Sequence, residues 1–295
     1  MKILVTFFFY LFFSCGVFAA GNGVSLTSDE LFRLGPLPVT NSMVTSWVVS
    51  LFIILLVKLM VGTPQLIPSK GQLIVESAIG SLRTIIEPIV GKKVFFPSFW
   101  LLSGLFIFIL IHNWSGLLPG VGTIGHGYYV DGHFSVLKPS IRPGNADLNM
   151  TFALALVANI CWVYFIFKYA GLKAISKDLF GNKADRNQVN FFVFAFLGVL
   201  FIAVGLIEVL SILFRPVSLT FRLFGNVFGG ESLLHSMFNL GNILGLPDIA
   251  TKITMVIAPI PFYFMEVLIG FVQALVFMLL VSVYIGLICN HEEEH

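Results

Sequence analysis

Residues 204–240 constrain this chain most, because they are apolar enough to lie in a bilayer and yet include charged side chains. If the stretch is an α-helix, polar residues spaced three, four and seven positions apart return to one narrow stripe. That stripe consists of Glu208, Ser211, Arg215, Ser218, Arg222, Asn226 and Gly229. Glu231 falls on the opposite side of the helix. A guanidinium in the middle of a membrane helix costs about 2.5–3.5 kcal/mol and keeps its proton, so these arginines are expected to face a polar pathway or a partner.

Composition places the whole chain in a membrane. Of its 295 residues, 57% are hydrophobic and 11% are charged, whereas soluble domains carry about 25% charged residues. The net charge of +2 gives no argument for nucleic-acid binding, and the 3 cysteines fit neither a disulfide framework nor a CxxC metal site. We therefore expect an all-α, polytopic membrane protein.

The start of the chain resembles a cleaved secretory leader. Lys2 precedes an apolar run, and small residues follow near Ala19 and Ala20, where a signal peptidase would cut. A first membrane helix is the alternative, but the run is short for a span. The sequence thus predicts a signal peptide over residues 1–20 and a single membrane domain over residues 21–295.

Apolar segments predict about five membrane helices, at residues 42–61, 96–119, 146–167, 189–240 and 252–289. Residues 72–93 have the pattern of an amphipathic helix in the interface plane, with one apolar side. That side consists of Val75, Ile79, Leu82 and Ile86. A mixed polar surface segment is expected over residues 21–40, and a Gly-rich loop after the second span. The last two apolar elements are expected to form a long, tilted hairpin.

Cations predict the orientation of these helices. The connection 62–95 carries 4 cations and residues 168–190 carry 5, whereas the loop between the second and third spans carries 2. Because positive charge favours cytoplasmic connections, the mature N-terminus is expected outside and the C-terminus inside.

Two carboxylates flank Arg222 along the helix axis. At about 1.5 Å per residue, Glu208 lies roughly 21 Å toward one end and Glu231 roughly 13 Å toward the other. The positive charge of Arg222 lies between these two titratable carboxylates. This arrangement favours two half-pathways that do not connect directly. The alternative is that Arg215 and Arg222 are structural, pair with Glu208 or a neighbouring helix, and only fix the packing.

The last apolar element carries a second polar pair. Glu266 and Gln273 are seven positions apart and share a helix face, with Tyr263 beside Glu266. A buried carboxyl can exchange protons, and an amide can hold a guanidinium without neutralising it. The alternative is that both side chains only hydrogen-bond two helices together.

The C-terminal HEEEH sequence, residues 291–295, fits the H-E-x-x-H pattern of zinc peptidases. Because the motif ends the chain and no third ligand is in view, we expect a solvated acidic tail and no metal. An intramembrane metalloprotease is the alternative, and it predicts stoichiometric zinc. No G-x-x-x-x-G-K-[ST] nucleotide loop occurs, so we expect no catalysis of ATP chemistry on this chain and no cofactor.

Four stretches of the chain resemble a known family. RPVSLTFRLFGNVFGGE, EVLIGFVQALVFMLLVSVYI, ADLNMTFALAL and HNWSGLLPG are similar to sequences of subunit a of F-type ATP synthases, and the resemblance extends from about Lys58 to the end of the chain. It implies an ion-translocating stator, with protons as the expected ion, and two offset half-channels beside a rotating c-ring. It also implies peripheral-stalk b-type subunits, a catalytic head, and an energy-coupling membrane such as the bacterial plasma membrane.

The same resemblance implies roles for individual residues. Arg222 would face the ring carboxylate and keep the half-channels apart, and Asn226 and Gln273 would line the ring contact. Glu208 would belong to the inner half-channel, and Glu231 and Glu266 to the outer one. The residues implied near the outer access path are Asn113, Asp147 and Asn149. Family members often have Glu at one of positions 231 and 266 and His at the other, whereas this chain has Glu at both.

A stand-alone secondary transporter is the main alternative. Such a protein would use broken helices at corresponding positions of two halves. Here the charged positions cluster in the C-terminal half of the chain, without a mirrored set before it.

Overall fold

The structure is a computed structural model that describes residues 28–118, 121, 125–130, 133–169, 171 and 191–289. The predicted leader over residues 1–20, most of the connection 168–190 and the HEEEH tail lie outside the described residues.

Helices dominate the described part of the chain. They are α1 (Asn41–Val61), α2 (Lys70–Val90), α3 (Lys92–Ser115), α4 (Leu148–Tyr169), α5 (Phe191–Phe238), α6 (Leu240–Ile243), α7 (Asp248–Ile257) and α8 (Pro259–Cys289). By length and composition, 5 segments could cross a membrane: Asn41–Val61, Lys92–Ser115, Leu148–Tyr169, Phe196–Phe238 and Asp248–Leu287. The prediction of an all-α polytopic fold with about five spans is therefore confirmed.

Two β-hairpins interrupt the helices where sequence reasoning expects only a surface segment and a loop. Strands β1 (Glu30–Leu34) and β2 (Leu37–Thr40) pair antiparallel, and so do β3 (Gly125–Val130) and β4 (His133–Pro139). Gly35 opens the first turn at φ 63°, a conformation that glycine adopts without steric cost at the first central position of a two-residue hairpin turn. The Gly-rich loop is thus partly ordered into strands.

The amphipathic helix lies where the apolar pattern predicts it. The Ser69 side chain accepts a hydrogen bond from the Gln72 N–H at 3.3 Å and caps α2. Gly91 ends the helix at φ 80°. Of the predicted apolar side, Leu82 and Ile86 are buried at 6% and 0% exposure, whereas Val75 is half-buried and Ile79 is 42% exposed.

Helix α5 is too long to cross a bilayer upright. Its 48 residues extend about 72 Å, whereas the hydrocarbon core is about 30 Å thick. The helix can therefore stay within the apolar layer only if it is strongly tilted. Pro216 lies inside it.

The described residues divide into two compact units, and α5 and α8 contribute to both. Unit 1 comprises the described residues within 28–49, 112–150 and 223–271, and unit 2 comprises those within 50–111, 151–222 and 272–289. Within unit 1 the two helices run antiparallel, since Gly230 meets Glu266 and the Phe238 ring centroid lies 6.3 Å from that of Tyr263. The predicted hairpin of the last two helices is therefore present.

Candidate functional site

Arg222 lies on an exposed face of α5. Ser218, Asn226 and Gly229 are exposed on the same face, as their spacing predicts. Across the described part of the chain, Arg222 has neither a hydrogen bond nor an ion pair. A permanent charge on an apolar helix thus lacks a counter-charge among these residues, and an anionic group from outside could supply one.

Arg215 departs from the predicted stripe. Its side chain is 11% exposed and donates a hydrogen bond to the Glu208 carboxylate at 3.0 Å. Its guanidinium also lies over the rings of Trp162 and Tyr284. The expected pairing of an α5 arginine with Glu208 is therefore present for Arg215, whereas Arg222 is left outside it.

Gln273 and Asn226 differ in exposure. Gln273 on α8 is 4% exposed, in the interior of unit 2, where Ala274 and Phe277 are fully buried. Asn226 is exposed on α5. A role for both amides at a ring contact stays a prediction.

The two carboxyls predicted for the outer half-channel belong to unit 1. Oε2 of Glu231 is buried and has no hydrogen-bond partner among the described residues, and Arg142 and His235 lie close enough to act on this carboxyl electrostatically. The Glu266 carboxyl lies against the backbone of Gly230, so that a Cβ at position 230 would overlap it. Glu266 is thereby placed beside the residue that precedes Glu231.

Asn113 connects two segments of unit 1. Its side chain is 6% exposed. Its amide nitrogen donates to the Gly270 carbonyl at 2.9 Å, and its amide oxygen accepts from Asn145 at 2.7 Å. The neighbouring Trp114 indole N–H donates to the Val267 carbonyl at 3.1 Å. The end of α3 is thereby hydrogen-bonded to α8 one turn beyond Glu266.

Asp147 is held by three donors at the start of α4. Its Oδ2 accepts from the hydroxyls of Ser28 at 2.6 Å and Ser42 at 2.8 Å. Its Oδ1 accepts from the Asn149 N–H at 3.0 Å, as a helix cap does. Asp147 is 5% exposed, whereas Asn149 is exposed. The structure thus makes Asp147 a buried junction between α4 and the segment that contains β1, β2 and the start of α1.

Sequence reasoning missed three buried polar residues around these groups. His112, Arg142 and Asn145 are 0%, 3% and 0% exposed. Arg142 donates through its backbone N–H to the Thr45 hydroxyl at 3.2 Å and through Nη2 to the Ala146 carbonyl at 3.3 Å. The sequence-based interpretation counts Arg142 only as a loop cation. Its place in a short polar run directly before an apolar span could have indicated that Arg142 is buried.

The described residues contain no candidate metal site. No group of three or more His, Cys, Asp or Glu side chains within them could hold a metal ion. The His291 to His295 tail lies outside the described residues.

A multi-pass helical chain with an exposed arginine on a long apolar helix, and with carboxylates and amides inside, belongs to the class of ion-translocating membrane subunits. The chain matches the ATP synthase A chain family over residues 43–286, and it belongs to that family.

Similar curated proteins carry the same family name. ATP synthase subunit a of Gloeobacter violaceus is 30% identical over 90% of this chain and 90% of its own length. ATP synthase subunit a of Moorella thermoacetica is 30% identical over 87% and 94%. ATP synthase subunit a 2 of Bradyrhizobium sp. strain BTAi1 is 29% identical over 88% and 94%. The chain is thus the proton-translocating stator subunit of the ATP synthase membrane sector and not a catalytic subunit, and the stand-alone transporter hypothesis receives no support.

Proposed function

We propose that the exposed polar face of α5, centred on Arg222, is the surface past which a ring of small carboxylate-bearing subunits rotates. The observation that carries the proposal is that Arg222 is exposed and lacks a hydrogen bond or ion pair within the described part of the chain. The small residues Gly225 and Gly229 on the same helix are exposed and leave open space at their α-carbons. A neighbouring helix could therefore approach closely on this face.

The permanent charge of Arg222 explains how one residue can separate two half-pathways. An ionised ring carboxylate is costly in an apolar setting unless a cation stands opposite it. The guanidinium supplies that cation and cannot deprotonate. The same charge repels a proton that would otherwise cross directly from one half-pathway to the other.

We assign the outer half-channel to the polar interior of unit 1. Glu231, Glu266, Asn113 and Asp147 belong to this unit, and Asn149 lies exposed at the start of α4. The support is that Asn113, Asp147 and Oε2 of Glu231 are buried here, and that ionisable groups inside a membrane protein mark ion pathways. We assign the inner half-channel to Glu208, which is half exposed on α5. Asn226 and Gln273 complete the assignment near the ring.

The remaining assignments concern partners, membrane and processing. The ring, peripheral-stalk b-type subunits and, through them, the catalytic head are the proposed partners, in a bacterial plasma membrane with the mature N-terminus outside. The uneven distribution of cations between the connections supports this orientation. Residues 1–20 are proposed to be a cleaved leader before a single membrane domain. N-terminal sequencing of the purified subunit tests the cleavage, and retention of Met1 would disprove it.

The central test is Arg222→Ala in purified complexes in proteoliposomes with an imposed pH gradient. We expect ATP synthesis to be abolished and passive proton flux through the assembled membrane sector to rise. Arg222→Lys should restore synthesis poorly, because an ammonium can lose its proton when buried and lacks the planar fork. Arg83→Ala is the matched control, since Arg83 is an exposed α2 arginine outside the candidate spans. An Arg222→Ala complex that still couples flux to synthesis would refute the proposal.

A further inference from the structure

We propose that Arg215 is a positioning residue that holds the Glu208 carboxylate at a fixed place on the exposed face of α5. The inference rests on the proposed function, in which Glu208 belongs to the inner half-channel. All residues that carry it lie in unit 2.

The guanidinium of Arg215 is enclosed by two aromatic rings. Its Cζ lies 4.1 Å from the ring centroid of Tyr284 and 5.0 Å from that of Trp162. Both distances are within the range of cation–π attraction, and a planar guanidinium can stack on such faces as an ammonium cannot. α4 and α8 thus provide a binding site for a cation carried by α5.

The Trp162 ring is tied to α8 without Arg215. The Trp162 indole N–H donates to the Tyr284 carbonyl at 2.8 Å. This bond ties the indole ring to the backbone of α8, so one wall of the space that holds the guanidinium is set by packing of α4 on α8. The Trp162 side of the Arg215 site is therefore held by a contact that does not involve Glu208.

The exposed fractions of the two side chains indicate which residue holds the other. The Arg215 side chain is 11% exposed, whereas that of Glu208 is 50% exposed, and the two join at 3.0 Å. The two residues are seven positions apart, which corresponds to about 10 Å along the axis, so the arginine extends back along α5 to reach the carboxylate. The buried end of this pair is the anchor, and the half-exposed carboxylate is the group that it holds.

A purely structural role would not require a charge at this place. A buried cation is costly to desolvate, and an apolar residue of similar volume often packs as well or better. The arrangement instead fixes one ionisable group at the surface of α5, two helical turns from its anchor. A long, half-exposed Glu side chain without that anchor would sample several rotamers. Arg215 would thereby keep a proton acceptor in a constant position as the ring moves past.

The test is a double-mutant cycle of Arg215→Gln and Glu208→Gln. The readout is passive proton flux through the membrane sector, reconstituted in liposomes after removal of the catalytic head. We expect each single change to lower the flux by roughly five- to thirty-fold. The double variant should be no slower than Glu208→Gln alone, because Arg215 acts through Glu208. Losses that multiply, or an unchanged flux in Arg215→Gln, would overturn the proposal.

Further variants separate positioning from folding. Copurification of the ring measures assembly, and Arg215→Lys should recover only part of the flux. Tyr284→Leu should lower the flux more than Tyr284→Phe, which keeps an aromatic face; an equal effect would contradict the proposal.

Arg83→Gln is the matched control, since the Arg83–Glu87 pair is also an ion pair within one helix, at 2.9 Å, but on an exposed surface. Retained coupling in Arg222→Ala would refute the proposed function, whereas multiplying losses in the cycle refute only the role of Arg215.

Discussion

The contact between Gly230 and Glu266 in unit 1 makes a sharp prediction about proton transfer. A Cβ built on Gly230 would overlap the carboxyl carbon and both oxygens of Glu266. Only glycine therefore allows the carboxyl to lie where it does. We predict that Gly230→Ala slows proton-driven ATP synthesis while the complex still assembles.

Gly230→Ala should slow proton transfer without destabilising the subunit. The overlapping atoms form the end of a flexible side chain, so the Glu266 carboxyl can swing away while both backbones stay in place. Alanine also favours a helix by about 1 kcal/mol over glycine. The displacement of the carboxyl is on the order of 1 Å, and a misplacement of that size can cost up to about 100-fold in rate. We expect a fall between about 10- and 100-fold in the synthesis rate.

Proteoliposomes with an imposed pH gradient measure both the synthesis rate and passive proton flux. Gly104→Ala is the matched control, because this glycine lies in the membrane helix α3 and a Cβ there meets nothing within 4 Å. A second variant combines Gly230→Ala with Glu266→Asp, whose shorter side chain leaves room for the new methyl group. This combination should recover part of the rate.

Two outcomes would refute the reasoning. Unchanged synthesis in Gly230→Ala would mean that the place of the Glu266 carboxyl does not limit proton transfer. Loss of the assembled complex would mean that the glycine serves helix packing, and then Glu266→Asp would not restore the rate.

Three further predictions concern a buried hydrogen-bond acceptor, a close glycine contact and the two carboxyls of the proposed outer half-channel. Asp147→Ala should destabilise the subunit by about 1–3 kcal/mol, because two serine hydroxyls and a helix N–H lose their acceptor; thermal denaturation of the purified complex measures it, and an unchanged midpoint would contradict it. Gly286→Ala should destabilise by about 1–3 kcal/mol, since its Cβ would meet the Ile89 carbonyl of the backbone, which cannot swing aside; the yield of assembled complex tests this against Gly104→Ala. Replacing Glu231 and Glu266 together by Gln should slow proton-driven synthesis in an assembled complex, and normal proton flux would remove both from the pathway.

The span pattern could be predicted from sequence because a bilayer leaves the backbone few choices. Lipid offers no hydrogen bonds, so a long apolar segment becomes a helix whatever its neighbours are. The same local periodicity predicts that Arg222 and Asn226 share the exposed face of α5, and that face is present. Hairpin β3–β4 was not predicted, because its strands lie in a Gly-rich polar segment without a clear alternation.

The sequence by itself therefore determined the class of fold, the membrane helices and the exposed face of α5 around Arg222. Tertiary structure decided the partners of the long polar side chains. Arg215 shares a stripe with Arg222 by spacing, yet its guanidinium is enclosed by rings from α4 and α8. Asp147 likewise pairs with Ser28, 119 positions earlier in the chain. Helical spacing fixes where a side chain leaves its own helix, but a flexible side chain turns toward the best available counter-charge or donor, and those groups come from segments far away in sequence.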